Sequence, residues 1–250
     1  MILDIDIGNS ATKWRLSEFC QILDSGIDQR DASEGLGYTM DVKPVKMARV
    51  SSVLNATCTA RELEKFELGE EVPVHYAKVI SPFKGFVCAY ESLCQLGVDR
   101  WLAMLSAWRQ ASDAPFLVVD AGSAMTLDLV DNRGKHLGGY IVPGLQNQHR
   151  SLQSKTKLVN YLQAYDTNTE PGTTTDQCVN RGVLEMFRSM IAAAESYLAE
   201  RCGMERTIFL TGGDREILSS LFPNAKVREN LVLDGLAVAF SYDSSLEMFE

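Results

Sequence analysis

Asp6, Gly8, Asn9, Ser10, Thr12 and Lys13, with Ile7 and Ala11 between them, put a carboxylate, a glycine, an amide, two hydroxyls and an ammonium into one short stretch. A turn built on glycine lets backbone N–H groups approach phosphate oxygens with no Cβ in the way, and the side chains add donors and positive charge. Asp6 is then placed to hold Mg²⁺ through water, because that ion keeps much of its hydration shell. The same residues also suit a solvent-facing hairpin with ordinary turn chemistry. The pattern recurs in Asp120-Ala121-Gly122-Ser123-Ala124-Met125-Thr126, where a Gly again follows two residues after the Asp and a Thr six after it. Two such turns would clamp a polyphosphate from both sides. The alternative for Asp120 is a strand-end carboxylate that bonds its own turn.

Two further stretches carry chemistry. Gly97-Val98-Asp99-Arg100 opens a helical pattern. Asp99 there is a helix cap on residue type alone; in a phosphoryl transfer a carboxylate in such a place orients the nucleophile and takes its proton. Arg100 offers a fork that suits a substrate carboxylate, or a surface ion pair. Thr211-Gly212-Gly213-Asp214 follows the apolar run Ile208-Phe209-Leu210. Its double glycine lets a flat group such as a nucleoside lie against backbone, or Asp214 caps the next helix. The chain has no Walker A pattern and no GxGxxG, which disfavours a P-loop fold and a dinucleotide-binding dehydrogenase. Protein-kinase loop motifs are absent and His75, His136 and His149 are scattered, so a hydrolase triad has no support.

The elements that must position these residues follow from periodicity. Residues 2–7 and the ATKWRL segment read as strands of a hairpin with its turn at Gly8-Asn9. Residues 116–120 are a short apolar run ending in an acid, as in a strand buried on both faces; MTLDLV, a turn at Asp131-Asn132-Arg133-Gly134, and HLGGYIV follow. Residues 99–112 have apolar groups at helical spacing, as do residues 175–202, where Thr174 and Gln177 form a capping box and Gly203 can stop the helix. Residues 151–173 read as a surface connection, and residues 18–60 are the least legible part. The repeat of Asp6–Thr12 at Asp120–Thr126 implies two similar α/β halves, 1–114 and 115–250, with the boundary near Ser112-Asp113-Ala114-Pro115.

A chain of 250 residues, 46% hydrophobic and 23% charged, can bury a sizeable core. Its net charge of −9 and lack of a basic stripe argue against a nucleic-acid partner. Cys20, Cys58, Cys88, Cys94, Cys178 and Cys202 form no CxxC pair, which fits reduced thiols in the cytoplasm. A secretory leader and a membrane span are not expected.

The motifs in order, Asp-x-Gly-Asn-Ser…Lys, Gly-x-Asp-Arg, Asp-x-Gly-Ser-Ala-x-Thr, Gly-Gly-Tyr-Ile-x-Pro-Gly and Thr-Gly-Gly-Asp, resemble those of type III pantothenate kinases from about residue 2 to about residue 240. The resemblance implies a duplicated actin-like ATPase fold of the acetate/sugar kinase, heat-shock ATPase and actin superfamily, with its ribonuclease H-like motif. It implies transfer of the ATP γ-phosphoryl group to pantothenate, the step that opens coenzyme A synthesis. Residue by residue, it assigns Asp6, Ile7, Gly8, Asn9, Ser10, Ala11, Thr12 and Lys13 to the ATP phosphate loop. Ser123, usually a threonine in that family, touches ATP phosphate. Asp99 matches the catalytic base, and Gly97, Val98, Asp99 and Arg100 the pantothenate contact on which Tyr90 closes. Thr175 reaches pantothenate from the partner subunit of a homodimer, with Thr174 open as the alternative. Asp120 is implied to hold an activating monovalent cation, K⁺ or NH₄⁺, beside the Mg²⁺ that accompanies ATP. The family's proline is missing from Glu91-Ser92-Leu93-Cys94-Gln95-Leu96, which bears on the local loop and not on Asp99.

Overall fold

A computed structural model describes residues 1–19, 21–30, 45–156, 159–164, 167–168, 170–203 and 206–241. Part of the illegible stretch 18–60, and Cys20, fall outside these. The contacts gather the chain into two units, one of residues 1–80, 90–106 and 230–250, the other of residues 81–89 and 107–229.

The first unit is built on a five-stranded sheet in the order β3-β2-β1-β4-β5, from β1 (Ile2–Ile7), β2 (Ala11–Glu18), β3 (Gln21–Gln29), β4 (Met47–Ser52) and β5 (Val74–Tyr76). The first three strands form an antiparallel meander, and β4 and β5 add in parallel on the other side of β1. Alternation along β1 sends Leu3, Ile5 and Ile7 to one face, where they pack with Trp14, Leu16, Val50 and Phe66. Helix α1 (Ala56–Glu64) covers that face and connects β4 to β5. It starts at Asn55, whose side chain accepts the Cys58 N–H at 2.9 Å. The opposite face carries Asp4, which is fully buried and pairs with Arg49 at 2.6 Å and Arg15 at 3.3 Å. Arg15 in turn reaches Asp234 of α6 (Leu231–Ala239), the C-terminal helix that packs on β1 and β4.

The second unit repeats the plan. Its sheet runs β10-β9-β6-β7-β8, from β6 (Phe116–Ala121), β7 (Ala124–Val130), β8 (His136–Pro143), β9 (Thr207–Thr211) and β10 (Lys226–Val227). Again three strands form a meander and two add in parallel. Helices α3 (Leu145–Lys155), through Leu145, and α4 (Thr175–Cys202), through Leu184, Phe187, Ile191 and Leu198, cover one face, and the short α5 (Arg215–Ser219) joins β9 to β10.

Helix α2 (Val98–Gln110) ends short of the expected residue 112, because Ser112 and Asp113 take left-handed backbone with φ of 50° and 63°. The expected boundaries of α4 coincide with the observed ones. Thr174 accepts the Gln177 N–H at 3.3 Å and Gly203 closes the helix at φ 61°. The capping box is displaced by one residue, since the Gln177 side chain takes the N–H of Thr173 instead of Thr174. The polar stretch 151–173 begins inside α3, and Leu162 and Ala164 then donate backbone N–H groups to Asp176 and Asn180 of α4.

Residues 81–89 group with the second unit, and residues 230–250 with the first.

Candidate functional site

At the end of β1 the hairpin closes through the Gly8 N–H to the Ala11 carbonyl at 3.0 Å, so Asn9 and Ser10 form its centre, one residue beyond the expected Gly8-Asn9. Gly8 is not in the left-handed region; a Cβ there would sit 3.2 Å from the Ala11 carbonyl oxygen. Asn9 and Ser10 are exposed. Asp6 lies directly opposite Lys13 on β2 and Ser51 on β4, so the three side chains leave the same face of the sheet. The Ser51 hydroxyl is buried and has no hydrogen-bond partner among the described residues. Thr12 goes the other way. It pairs with Ile7, shares its core face, is fully buried and donates its hydroxyl to Glu62 at 2.9 Å. Of the expected phosphate contacts, the side chains of Ile7 and Thr12 therefore belong to the core behind the turn.

The second turn differs in length. Asp120 lies opposite Thr126 on β7 and Thr211 on β9, where Asp6 lies opposite Lys13 and Ser51. The first hairpin thus carries one residue more, and the structural counterpart of Thr126 is Lys13, not Thr12. Ser123 is exposed at the tip, and its carbonyl accepts the Gly144 N–H and the Asn147 amide, both at 2.8 Å. The Thr211–Asp214 turn comes against Asp120. Gly212 has φ 89°, and a Cβ on it would overlap the Ala121 carbonyl and stand 2.5 Å from Asp120 Oδ1. The Asp214 N–H donates to the Ala121 carbonyl at 2.9 Å. Burial pushes the Asp214 carboxyl above its ordinary range. Asp214 stands at the N-cap position of α5 but its side chain does not cap that helix.

These oxygens suit hard cations. The described residues hold no group of three or more His, Cys, Asp or Glu that could cage a metal. Mg²⁺ takes oxygen ligands, and Asp6 with the buried, unpartnered Ser51 hydroxyl offers them.

In the first unit, α2 begins with the Trp101 N–H donating to the Gly97 carbonyl at 3.1 Å. Asp99 sits in its first turn, where the positive end of the helix favours a carboxylate. Its Oδ1 accepts the Arg100 N–H at 2.7 Å and lies 2.5 Å from where a Cβ on Gly97 would be, so a side chain there would displace the carboxylate from this position. Arg100 is 7% exposed and donates through Nη1 to the Tyr90 hydroxyl at 2.8 Å. Tyr90, Asp99 and Arg100 are thus brought together. Gly97 and Val98 line a cavity of about 560 Å³. Its other walls are residues 52–54 after β4, residues 77–79 after β5, and residues 93–96 around a 3₁₀ turn at Leu93–Gln95. Lys78 stands among these walls and was not expected from motifs. The ends of parallel strands are where open α/β sheets bind ligands, and that rule applied to β4 and β5 would have found these residues.

Thr175 is the first residue of α4 and is exposed. The Thr174 hydroxyl serves as the helix cap, and both threonines are exposed.

An acid at the end of each central strand, a hairpin turn directly after it and one strand order used twice define the duplicated α/β fold of actin-like ATPases and sugar kinases. Two solved structures share it: a Baf family protein from Campylobacter jejuni (TM-score 0.63, 22% identity, covering 95% of this chain and 96% of that one), and a protein from Sinorhizobium meliloti assigned as a 2-dehydro-3-deoxygalactonokinase (TM-score 0.54, 11% identity, 96% and 98%). The family model for type III pantothenate kinase matches residues 2–196. Type III pantothenate kinases from Marinobacter nauticus and Pseudomonas aeruginosa are 38% and 34% identical, over 94% and 96% of this chain and 96% and 98% of their own length. The chain belongs to the type III pantothenate kinase family, and is an ATP-dependent phosphotransferase.

Proposed function

We propose that the chain transfers the γ-phosphoryl group of ATP to the primary hydroxyl of pantothenate, with Asp99 as the base. The products are 4′-phosphopantothenate and ADP, and the reaction is the first step of coenzyme A biosynthesis. The observation that carries the assignment of roles is the start of α2, where Asp99, Arg100 and Tyr90 converge. Asp99 orients the hydroxyl and accepts its proton as the oxygen attacks the γ-phosphorus in line and the bond to the ADP oxygen breaks. Arg100 pairs with the pantothenate carboxylate through its fork, and Tyr90 closes over the substrate. Asp6, Asn9, Ser10 and Lys13, with backbone donors of the 8–11 turn, take the ATP phosphates, and Ser123 adds a hydroxyl. Asp6, through water, and the Ser51 hydroxyl would hold Mg²⁺, which would supply charge neutralisation on the phosphates. Asp120 would hold a monovalent cation, K⁺ or NH₄⁺, which would supply fixed positive charge. Thr175 reaches pantothenate in the partner subunit of a homodimer. The enzyme works in the cytoplasm, a reading supported by free thiols at Cys58, Cys88, Cys94, Cys178 and Cys202 and by the lack, among the described residues, of a helix long and apolar enough to cross a membrane.

The test is ADP release from MgATP with and without pantothenate, in K⁺ and then in Na⁺. Pantothenate-dependent release that falls in Na⁺ supports the substrate and the cation together. ATP binding without turnover in K⁺, from folded protein, would move the reading to a nucleotide-binding regulator. Asp99→Asn is expected to keep ATP binding and lose at least about 100-fold in kcat, the range of a lost general base; wild-type turnover would remove Asp99 from the mechanism.

A further inference from the structure

We propose that Arg30 is a positioning residue of the phosphate loop, holding the Asn9–Ser10 turn from behind so that its backbone donors face outward. The inference rests on the assignment of Asp6–Lys13 to the ATP phosphates.

Arg30 directly follows β3, on the strand next to the hairpin. Its backbone N–H donates to the Ser10 carbonyl at 3.0 Å, and its guanidinium donates through Nη1 to the Asn9 carbonyl at 3.2 Å. These are the carbonyls of two successive peptide units at the tip of the turn. In a planar trans peptide the C=O and the N–H of one unit point in opposite directions. Anchoring the Asn9 and Ser10 carbonyls on Arg30 therefore turns the N–H groups of Ser10 and Ala11 away from it. Successive N–H groups aimed the same way form the concavity that takes an anion, whereas a carbonyl oxygen in their place would repel it. A four-residue turn with no left-handed residue does not enforce this choice by itself: Asn9 and Ser10 are exposed and neither has a positive φ.

The guanidinium also has a carboxylate nearby, at ion-pair distance and without a hydrogen bond. Its Nε lies 3.8 Å from Glu62 Oε1 on α1, and Glu62 is 8% exposed. The other oxygen of Glu62 takes the Thr12 hydroxyl at 2.9 Å and the Lys65 ammonium at 3.2 Å. Lys65 also meets Asp28, the cross-strand partner of Thr12, at 3.0 Å. Thr12, buried and turned from the ligand side, bonds the far oxygen of Glu62 and belongs to the core behind the turn. A purely structural role for Arg30 would affect both substrates alike through stability. A positioning role is confined to ATP.

The experiment compares KM for MgATP, KM for pantothenate, kcat and melting temperature in Arg30→Met, Lys13→Met and Lys65→Met. Arg30→Met is expected to raise KM for MgATP about tenfold or more, the loss of one charge-assisted hydrogen bond, with KM for pantothenate within about twofold. Lys65→Met, whose partners are Asp28 and Glu62, is expected to lower the melting temperature and leave KM for MgATP in place. Should Arg30→Met fail to fold, Arg30→Gln is read by the same criterion. An unchanged KM for MgATP in the Arg30 variant, with a raised one in Lys13→Met, overturns the role of Arg30 and keeps the phosphate loop. An unchanged value in both overturns the loop assignment and the inference with it. Both KM values rising together with a lowered melting temperature would make Arg30 merely structural.

Discussion

Thr12 and Thr126 occupy the same place in the repeated motif and opposite places in space. Each lies six residues after its aspartate, but Asp6 pairs with Lys13 and Asp120 with Thr126. Side chains alternate along a strand, so a single added turn residue moves every following side chain to the other face. Thr12 consequently enters the core with Glu62, and Lys13 takes the outward place. Thr12→Val is expected to lose about 1–3 kcal/mol of stability, the worth of a hydrogen bond to a charged group, and to leave KM for MgATP unchanged. Urea unfolding and steady-state kinetics check both halves; a raised KM would return Thr12 to the phosphates. The repeat itself was legible in the sequence because Asp-x-Gly at a strand end is a turn with few substitutes. Its register was not, because loop length is set by the hydrogen bond that closes the turn, and the residues from Gly8 to Ala11 do not announce it. Asp99 and Arg100 stood out as a pattern and Tyr90 only through the family resemblance, and the Arg100–Tyr90 hydrogen bond adds geometry that spacing cannot give.

Elements with strong end signals were readable and those without were not. Helix α4 has a threonine cap and a glycine stop, and its bounds follow from them. Strand β3 is an edge strand with exposed Ile22, Leu23 and Ile27, so its alternation carries no buried face to recognise. The start of α1 has such a signal in Asn55, whose side chain caps that helix. Helix α6 shows where composition misleads in a different way. Gly235 is a poor helix former, and replacing it by alanine would by propensity alone stabilise the helix by about 1 kcal/mol. A Cβ there would overlap the backbone carbonyl of Leu102 on α2, which cannot swing aside as a side chain can. Gly235→Ala is therefore expected to destabilise, by about 1–3 kcal/mol as overpacking does, and a melting temperature above wild type would refute the close approach. Helix α3 supplies the pH dependence. His149 is buried there, and burial holds its imidazole below its ordinary value of 6.5. The Tyr161 hydroxyl donates to the His149 carbonyl at 3.1 Å, so it accepts from His149 Nδ1 at 3.0 Å. The folded protein favours the neutral ring, so its contribution to stability is fully present above about pH 6.5 and is lost as the pH falls from there through the folded-state value. Melting temperature measured from pH 7.5 to 5 is expected to fall less steeply in His149→Gln than in the wild type, although the variant starts lower.

At the scale of the molecule, the sequence repeat places the cut between residues 114 and 115, and the contacts place α6 in the first unit. The reason is energetic. Leu231, Leu233 and Leu236 of α6 are buried to within 2%, and a fully buried leucine contributes about 1.5–3 kcal/mol. Together they contribute an amount comparable with the whole stability of an ordinary domain, about 5–15 kcal/mol. The same helix also closes the buried charges of the first sheet: Asp234 and the Leu233 carbonyl take the Arg15 guanidinium at 2.6 and 2.9 Å, and Arg15 with Arg49 neutralises Asp4. Removing α6 leaves apolar surface and an incompletely paired ionic group on the open face of β1, each of which is costly. A sequence repeat cannot register this, because it compares segments in order and α6 lies beyond the second copy. Residues 1–114 alone are accordingly expected to show no cooperative urea transition by circular dichroism. Residues 1–106 followed by a flexible glycine-serine linker and residues 230–241 are expected to regain one. A cooperative transition in the 1–114 fragment would mean that the first sheet holds its buried Asp4 cluster without α6, and that the simple two-part cut describes the folding units after all.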